Sequence, residues 1–474
     1  MKRSSSFDYD VAVIGGGSAG YAAARTAADA KLRVVVVEGG KEVGGLCILR
    51  GCMPSKALLH AAHVLHQARN GKTWGLKIPK VGFDFKAVMA RKAEMIADFA
   101  NYRQGQLEKG RFTFLRALAR FEDPHTLALT PLPSQYPQRV PKTITAKHFV
   151  ITTGSTTAPS PLPHLNEVGF LTSDEALSLE KPPKSLIVLG GGAIAVELAQ
   201  FFARFDVEVT VIQRSEHLLR DFDIDAAQVL TKVFRRENIR VISNTRLLGA
   251  KCRGRLKEIE FEHDGCNRKV AAQEILFALG RVPNTGSLCL EKAHVETEYG
   301  RIVTTLEMQT SAPHIYAAGD CSGPYEIVHI GIEQGEIAAH NIAHADRKRA
   351  MDYRLLASVV FTDPQIATVG LTEREASARG VPFVAASYPF SDHGKSMIMD
   401  AKDGFVKLLA NPQTGEILGG GCVGPVAGEL IHEIIAAMHN HMTVKQLAAM
   451  PHYHPTLAEI WTYPAAELAE RIQS

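Results

Sequence analysis

Two cysteines five positions apart, Cys47 and Cys52, are the residues of this chain best suited to chemistry. They lie in Gly44-Gly45-Leu46-Cys47-Ile48-Leu49-Arg50-Gly51-Cys52-Met53-Pro54-Ser55-Lys56. Thiols at that separation form a small-ring disulfide when a turn or loop brings them together. A helix beginning near Gly51 favours the thiolate, the form that attacks or leaves in exchange. The spacing also allows two buried thiols, or half of a metal site. No second pair or neighbouring histidine completes a zinc set, so no metal is expected. The other cysteines are Cys252, Cys266, Cys289, Cys321 and Cys422. They are scattered and the total is odd, unlike a secreted disulfide framework.

A second kind of chemistry comes from two glycine turns. Gly15-x-Gly17-x-x-Gly20 follows the apolar run 11–14 and opens an alanine-rich helical stretch. The run 34–37 comes next and ends at Glu38. The first glycine permits a tight turn, the second lets backbone approach a pyrophosphate, and the third lets helix pack on strand. The helix start offers N–H groups and positive potential to phosphates. Glu38 stands where a carboxylate accepts hydrogen bonds from an adenosine ribose. The pattern recurs in Gly190-x-Gly192-x-x-Ala195, after the run 186–189 and before 207–212. There the position of the acid is taken by Gln213, followed by Arg214 and then Arg220. A neutral side chain with two arginines favours a 2′-phosphate over a free hydroxyl, so NADP(H) is expected, with NAD(H) as the alternative.

These two βαβ units, 175 residues apart, imply two nucleotide-binding domains. From about residue 357, strand-like runs (359–362, 404–409, 417–423) alternate with helical ones (428–439, 444–450) and read as a third, α+β domain. A chain of 474 residues accommodates about three domains. The expected fold class is α/β: two Rossmann-like dinucleotide-binding domains plus a C-terminal α+β domain. Boundaries are expected at 1–158 (completed by 285–350), 159–284 and 351–474. A net charge of +3 argues against a nucleic-acid binder. No long uncharged apolar stretch suggests a membrane span. The polar lead 1–8 leaves no room for a targeting peptide, so a cytoplasmic protein is expected.

The segment from Gly44 to Lys56 resembles the redox-active motif of the class I pyridine nucleotide–disulfide oxidoreductases. Thr153-Gly154-Ser155, Gly280-Arg281-Val282-Pro283-Asn284 and Ile315-Tyr316-Ala317-Ala318-Gly319-Asp320 also match that family. So do Phe361-Thr362-Asp363-Pro364 and His454-Pro455-Thr456 with Glu459, so the likeness covers nearly the whole chain. It implies FAD at the first glycine turn, with Gly15, Gly17, Gly20, Glu38, Gly45, Lys56, Thr153, Gly154, Ser155, Asp320 and Val328 as cofactor contacts. It implies NAD(P)H at the second, with Gly190, Gly192, Ala195, Glu197, Arg214, Arg220 and Gly280. By resemblance, Lys56 stands beside the flavin with Glu197 as its ion-pair partner. Cys52 faces the flavin, Cys47 is the interchange thiol, and His454 is the acid/base oriented by Glu459. Electrons pass from NADPH through FAD to a Cys47–Cys52 disulfide and on to a disulfide substrate. The family's third domain forms a homodimer, so shared active sites are implied, with no nucleic-acid or membrane partner.

The substrate is left open. Leu46 replaces the threonine usual in the family, and Ala193 replaces the tyrosine of glutathione reductase. His452-Tyr453-His454 resembles dihydrolipoamide dehydrogenase, whereas Gln213 and Arg214 do not. The alternatives are therefore dihydrolipoamide dehydrogenase, mercuric or quinone reduction, and a non-catalytic NADPH-binding flavoprotein that acts through a partner.

Overall fold

The computed structural model describes residues 7–132 and 139–473. Most of the polar lead 1–8 lies outside the described residues. The chain divides into two compact units. The first comprises Met1–Ser55, Ala90–Pro159 and Gly280–Asp352.

Its centre is a parallel sheet. From one edge the strands are Ile315–Ala317, Thr143–Ile151, Tyr9–Ile14, Val34–Glu38 and Thr113–Asp123. Val34–Glu38 is buried along its whole length. Four consecutive valines suit a strand covered on both faces. Thr126–Pro131 pairs antiparallel with both Thr113–Asp123 and Thr143–Ile151. Phe121 and Phe149 meet edge-on in the core beneath, 5.1 Å between centroids.

Tyr9–Ile14 has Val34–Glu38 on one side and Thr143–Ile151 on the other. The chain goes from Tyr9–Ile14 to Val34–Glu38 on one side, and the later strand Thr143–Ile151 takes the other side. Open α/β sheets bind ligands at a reversal of order of this kind. The chain leaves it at Gly15, with φ +108°, where a Cβ would come within 2.5 Å of the Thr152 carbonyl oxygen. The helix Ser18–Asp29 follows. A Cβ on Gly20 would lie 1.9 Å from the Gly15 oxygen, so helix start and turn touch backbone to backbone.

The second unit comprises Lys56–Met89, Ser160–Leu279 and Tyr353–Ser474. It holds a parallel sheet in the order Glu274–Phe277, Ser185–Leu189, Glu208–Ile212, Arg240–Ile242. A three-stranded antiparallel sheet spans Thr245–Arg253, Leu256–His263 and Cys266–Ala272. A five-stranded antiparallel sheet runs Ala357–Val360, Gln365–Gly370, Ile417–Gly424, Phe405–Ala410, Val384–Pro389. The helix Ala427–His439 lies on it: a Cβ on Gly420 would press to 2.9 Å from Ile434. Trp461, fully buried, donates its indole N–H to the Leu430 carbonyl at 3.2 Å. Among the described residues no helix is long and apolar enough to cross a membrane.

The helix Ala193–Arg204 is buried almost throughout. Three of its polar residues fall at helical spacing and grip one loop. Glu197 Oε1 accepts the Phe361 N–H at 2.9 Å. Gln200 accepts the Asp363 N–H and donates to the Asp363 carbonyl, both at 2.8 Å. Arg204 reaches the Asp363 carboxylate at 2.9 Å and Glu237 at 2.7 Å. The strand expected at 359–362 therefore stops at Val360. The next N–H is given to a carboxylate and not to a ladder.

His63 Nδ1 lies 3.1 Å from the same Asp363 carboxylate. Burial works to raise the Asp363 pKa, but His63 and Arg204 together hold it well below the ordinary carboxylate range. A folded-state value below the unfolded one contributes stability at neutral pH that is lost as pH falls below the usual carboxylate value. The urea midpoint, followed by Trp461 fluorescence, is therefore expected to fall between pH 5 and pH 3 in part through Asp363. Asp363→Asn should lower the midpoint at pH 7 and flatten that acid limb. Asp363 is more than a third exposed, so the loss is put at about 1–3 kcal/mol, less than for a fully buried pair.

Candidate active site

In the first unit the glycine turn and its neighbours form a cradle. Both oxygens of Glu38 accept backbone N–H groups, from Gly16 at 2.6 Å and from Gly40 at 2.5 Å. The carboxylate is thereby fixed in place while retaining lone pairs for a ribose hydroxyl. Beyond Gly17 there is open space: a Cβ there would meet only the Gly45 Cα, at 3.8 Å. Thr153 Oγ1 is buried beside the Cys321 thiol. Ser155 donates to Asp320 at 2.6 Å and accepts from Arg281 Nε at 2.8 Å. Val328 opens the helix Val328–Ala343, whose first N–H groups have no intrahelical acceptors. An open glycine, a fixed acid and a helix start with free N–H groups suit a dinucleotide such as FAD.

The thiols adjoin this cradle. The helix Gly45–Leu49 carries Cys47, and Cys52 is the first residue of the helix Cys52–Arg69. A Cβ on Gly45 would lie 2.7 Å from the Gly17 Cα, so the Cys47 helix starts against the glycine turn. Both thiols are half-buried, as is Leu46. Cys321 differs: it is fully buried, and burial pushes its thiol up to about 11.

The second glycine turn repeats the first. Gly190 has φ +114°, and a Cβ on it would press to 2.3 Å from the Ala278 carbonyl oxygen. Nothing lies within 4 Å of a Cβ on Gly192, so a phosphate has room there too. Gly192, Ala193 and Ile194 are exposed, and Ala195 is buried. Gln213 is buried, donating to the His217 carbonyl at 3.3 Å and accepting the Arg214 N–H at 3.1 Å. Arg214 and Arg220 are both exposed. The loop carrying them is anchored where the Leu219 N–H reaches the Gly191 carbonyl at 2.7 Å.

Also in the second unit, Lys56 Nζ lies 2.8 Å from Glu197 Oε2 and 4.7 Å from the centre of the Phe361 ring. Glu197 is buried, whereas Lys56 is about a third exposed. Sequence comparison of motifs paired these two residues, and the structure joins them. His454 Nδ1 lies 3.0 Å from Glu459 Oε2. Its imidazole is 80% exposed while Glu459 is buried, which leaves the other ring nitrogen open to a reacting group. Such a pair holds one tautomer and stabilises the imidazolium when a proton arrives.

Sequence reasoning passed over Gln200, Arg204 and His393. The first two were signalled by polar residues at i, i+3 and i+7 in an otherwise apolar helix. His393 lies some 60 residues before His454 in the chain and carries no local pattern.

The family described as pyridine nucleotide-disulphide oxidoreductase matches residues 9–335, and its dimerisation domain matches residues 356–465. A dihydrolipoyl dehydrogenase of Geobacillus stearothermophilus is 34% identical over 459 residues, covering 96% of this chain and 95% of that protein. One from Thermus scotoductus is 36% identical, covering 95% of each. Among solved structures, the HOCl-induced flavoprotein disulfide reductase RclA from Escherichia coli superposes with a TM-score of 0.84 at 26% identity. It covers 97% of this chain and 99% of its own. LpdA from Mycobacterium tuberculosis gives 0.87 at 27% identity, with the same coverage.

The cradle makes a direct prediction. Gly15→Val forces a β-branched residue into positive φ and drives its Cβ toward the Thr152 oxygen. Strain of about 1–3 kcal/mol corresponds to roughly 5- to 150-fold weaker flavin retention. Visible flavin absorbance per protein after gel filtration is the measurement.

Proposed function

Because the chain belongs to the pyridine nucleotide–disulphide oxidoreductase family, we propose specific roles for its residues and a preference for NADPH. The protein is an FAD-dependent disulfide oxidoreductase that uses NAD(P)H and forms a homodimer. The observation that carries the finer reading is the exposed His454 held by buried Glu459, retained alongside Cys47 and Cys52.

FAD, when bound, supplies the two-electron relay between nicotinamide and dithiol. Lys56, held by Glu197, is the cation that offsets negative charge on the reduced ring system. Cys52 receives the electron pair, and Cys47 is released as a thiolate. Cys47 attacks one sulfur of the substrate disulfide, and the other sulfur leaves as a thiol with a proton from His454. Cys52, as the thiol, passes its proton to His454 and attacks the Cys47 sulfur. The second sulfur leaves as a thiol with that proton, restoring the Cys47–Cys52 disulfide. In this reading His454 serves the thiols of the partner subunit, so the two active sites are shared. The 1–158, 159–284 and 351–474 domains carry flavin, nicotinamide and dimer contacts respectively. The protein works in the cytoplasm.

A second reading is favoured by the relatives, several of which are dihydrolipoyl dehydrogenases. Here the same residues run in reverse, oxidising a dithiol such as dihydrolipoamide. Gln213 with Arg214 and Arg220 supports the reductive, NADPH-linked direction.

Anaerobic titration with NADPH and with NADH tests this. A long-wavelength thiolate-to-flavin band is expected at lower NADPH than NADH, and Cys52→Ser should abolish it. Flavin bleaching without the band would sink the proposed coupling to the dithiol. Arg214→Ala and Arg220→Ala should each raise the KM for NADPH about 10-fold, the worth of one charge-assisted hydrogen bond. The KM for NADH should stay unchanged.

A further inference from the structure

Glu459 is approached by two histidines. His454 Nδ1 lies 3.0 Å from one carboxylate oxygen, and His393 Nε2 lies 3.3 Å from the other. The two rings differ in setting: His454 is exposed, and His393 has no solvent exposure. Phe390 and Tyr463 enclose His393 edge-on, at 6.5 and 6.3 Å between centroids. Tyr463 is itself stacked on Tyr388 at 4.0 Å. On the far side His393 Nδ1 is 2.8 Å from the Ser396 hydroxyl, also fully buried. Nε2 is buried, and Glu459 is the polar group it faces among the described residues.

The titratable groups facing His393 are Glu459 from the short helix Ala458–Trp461, His454 from the loop before it, and Tyr463 from the helix Thr462–Gln473. Burial lowers the His393 pKa and the charge of His454 adds to that, while Glu459 pulls the other way and loses. A neutral imidazole carries one N–H. Were it on Nδ1, the Nε2 lone pair would face a carboxylate oxygen in a dry site, acceptor against acceptor. With it on Nε2, the Ser396 hydroxyl donates to Nδ1, and Nε2–H points its charge at Glu459. A small rotation of the carboxylate closes that bond.

We propose that His393 is the positioning residue of the acid/base pair. Fixed as the Nε2–H tautomer by Ser396, it holds one oxygen of Glu459 so that the other receives the N–H of His454. The proposal rests on His454 acting on the Cys47 thiol, as read above. A carboxylate anchored at one oxygen keeps its second aimed at His454, which stabilises the imidazolium and so the thiolate beside it.

The test uses the full-length flavin-bearing dimer, reduced with dithiothreitol. The rate at which iodoacetamide alkylates Cys47 is followed against pH by peptide mass spectrometry. An imidazolium partner keeps that rate high well below the ordinary thiol range. His454→Ala should abolish this low-pH reactivity. His393→Phe, which removes the donor, should lower the rate at pH 6 about 10-fold, the effect of moving the profile by one unit. His393→Gln, whose amide N–H replaces Nε2–H, should restore most of it. Ser396→Ala, the smallest change, should give a partial fall in the same direction. In a Glu459→Gln background, His393→Phe should change little further, because the two act in series.

Two results overturn the inference while leaving the role of His454 intact. One is a His393→Phe or Ser396→Ala profile that superimposes on the wild type while His454→Ala remains slow. The other is a His393→Phe loss as large without Glu459 as with it. A wild-type profile in His454→Ala overturns the reading of His454 itself, and the inference with it. If His393→Phe fails to fold, Ser396→Ala and His393→Gln carry the same decision.

Discussion

A buried carboxylate has to be neutralised or matched, and Glu197 shows how much of the second unit follows from that need. An ionised group taken out of water costs several kcal/mol unless partners replace the lost hydration. Lys56 supplies a charge at 2.8 Å and Phe361 supplies a backbone N–H at 2.9 Å. The lysine is drawn to a defined place, and the Ala357–Val360 strand ends where its next N–H is diverted. One and two turns on, Gln200 and Arg204 repeat the arrangement on Asp363. The polar face of one helix thus sets the geometry of the Lys56 ammonium and of the first strand of the dimerisation sheet. Replacing these residues with apolar ones of equal size could preserve packing, but it would leave Lys56 without direction.

The two glycine turns show the same packing carrying opposite charge. A Cβ on Gly16 would meet Glu38 at 2.9 Å, and one on Gly191 would meet Gln213 at 2.8 Å. In both units the side chain after the second strand is drawn under the turn and bonded to backbone. Glu38 brings a negative charge and acceptor oxygens there. Gln213 brings none, and the arginines on the loop beyond leave the surroundings positive. One scaffold thereby presents two cradles that differ in charge.

The proposed acid/base pair of His454 and Glu459 follows a similar logic. A histidine that must reach a substrate needs exposure, and exposure gives it freedom to rotate. Glu459 restrains it from within the protein, buried at the start of the helical segment that also carries Trp461. Reactivity at the surface is obtained by anchoring in the core, and the anchor is where burial, charge and hydrogen bonding meet most closely.

Much of this was legible in the amino-acid order because local rules apply. Glycine spacing after valine-rich runs marked both nucleotide turns, and a turn needing positive φ next to a carbonyl admits little else than glycine. The strands found at Phe405–Ala410 and Ile417–Gly424 lie within a residue of where alternation of residue type placed them. Cys47, Cys52, His454 and Glu459 were recognisable from short motifs. The sequence alone therefore determined the family and the cofactors, and it marked the residues proposed as reacting groups. Only the tertiary structure decided that Gln200 and Arg204 clasp Asp363, that Ser155 bridges Asp320 and Arg281, and that His393 lies sealed against Glu459. These contacts join residues tens to more than a hundred positions apart. Their strength depends on exclusion of water, a property no local pattern of residues encodes.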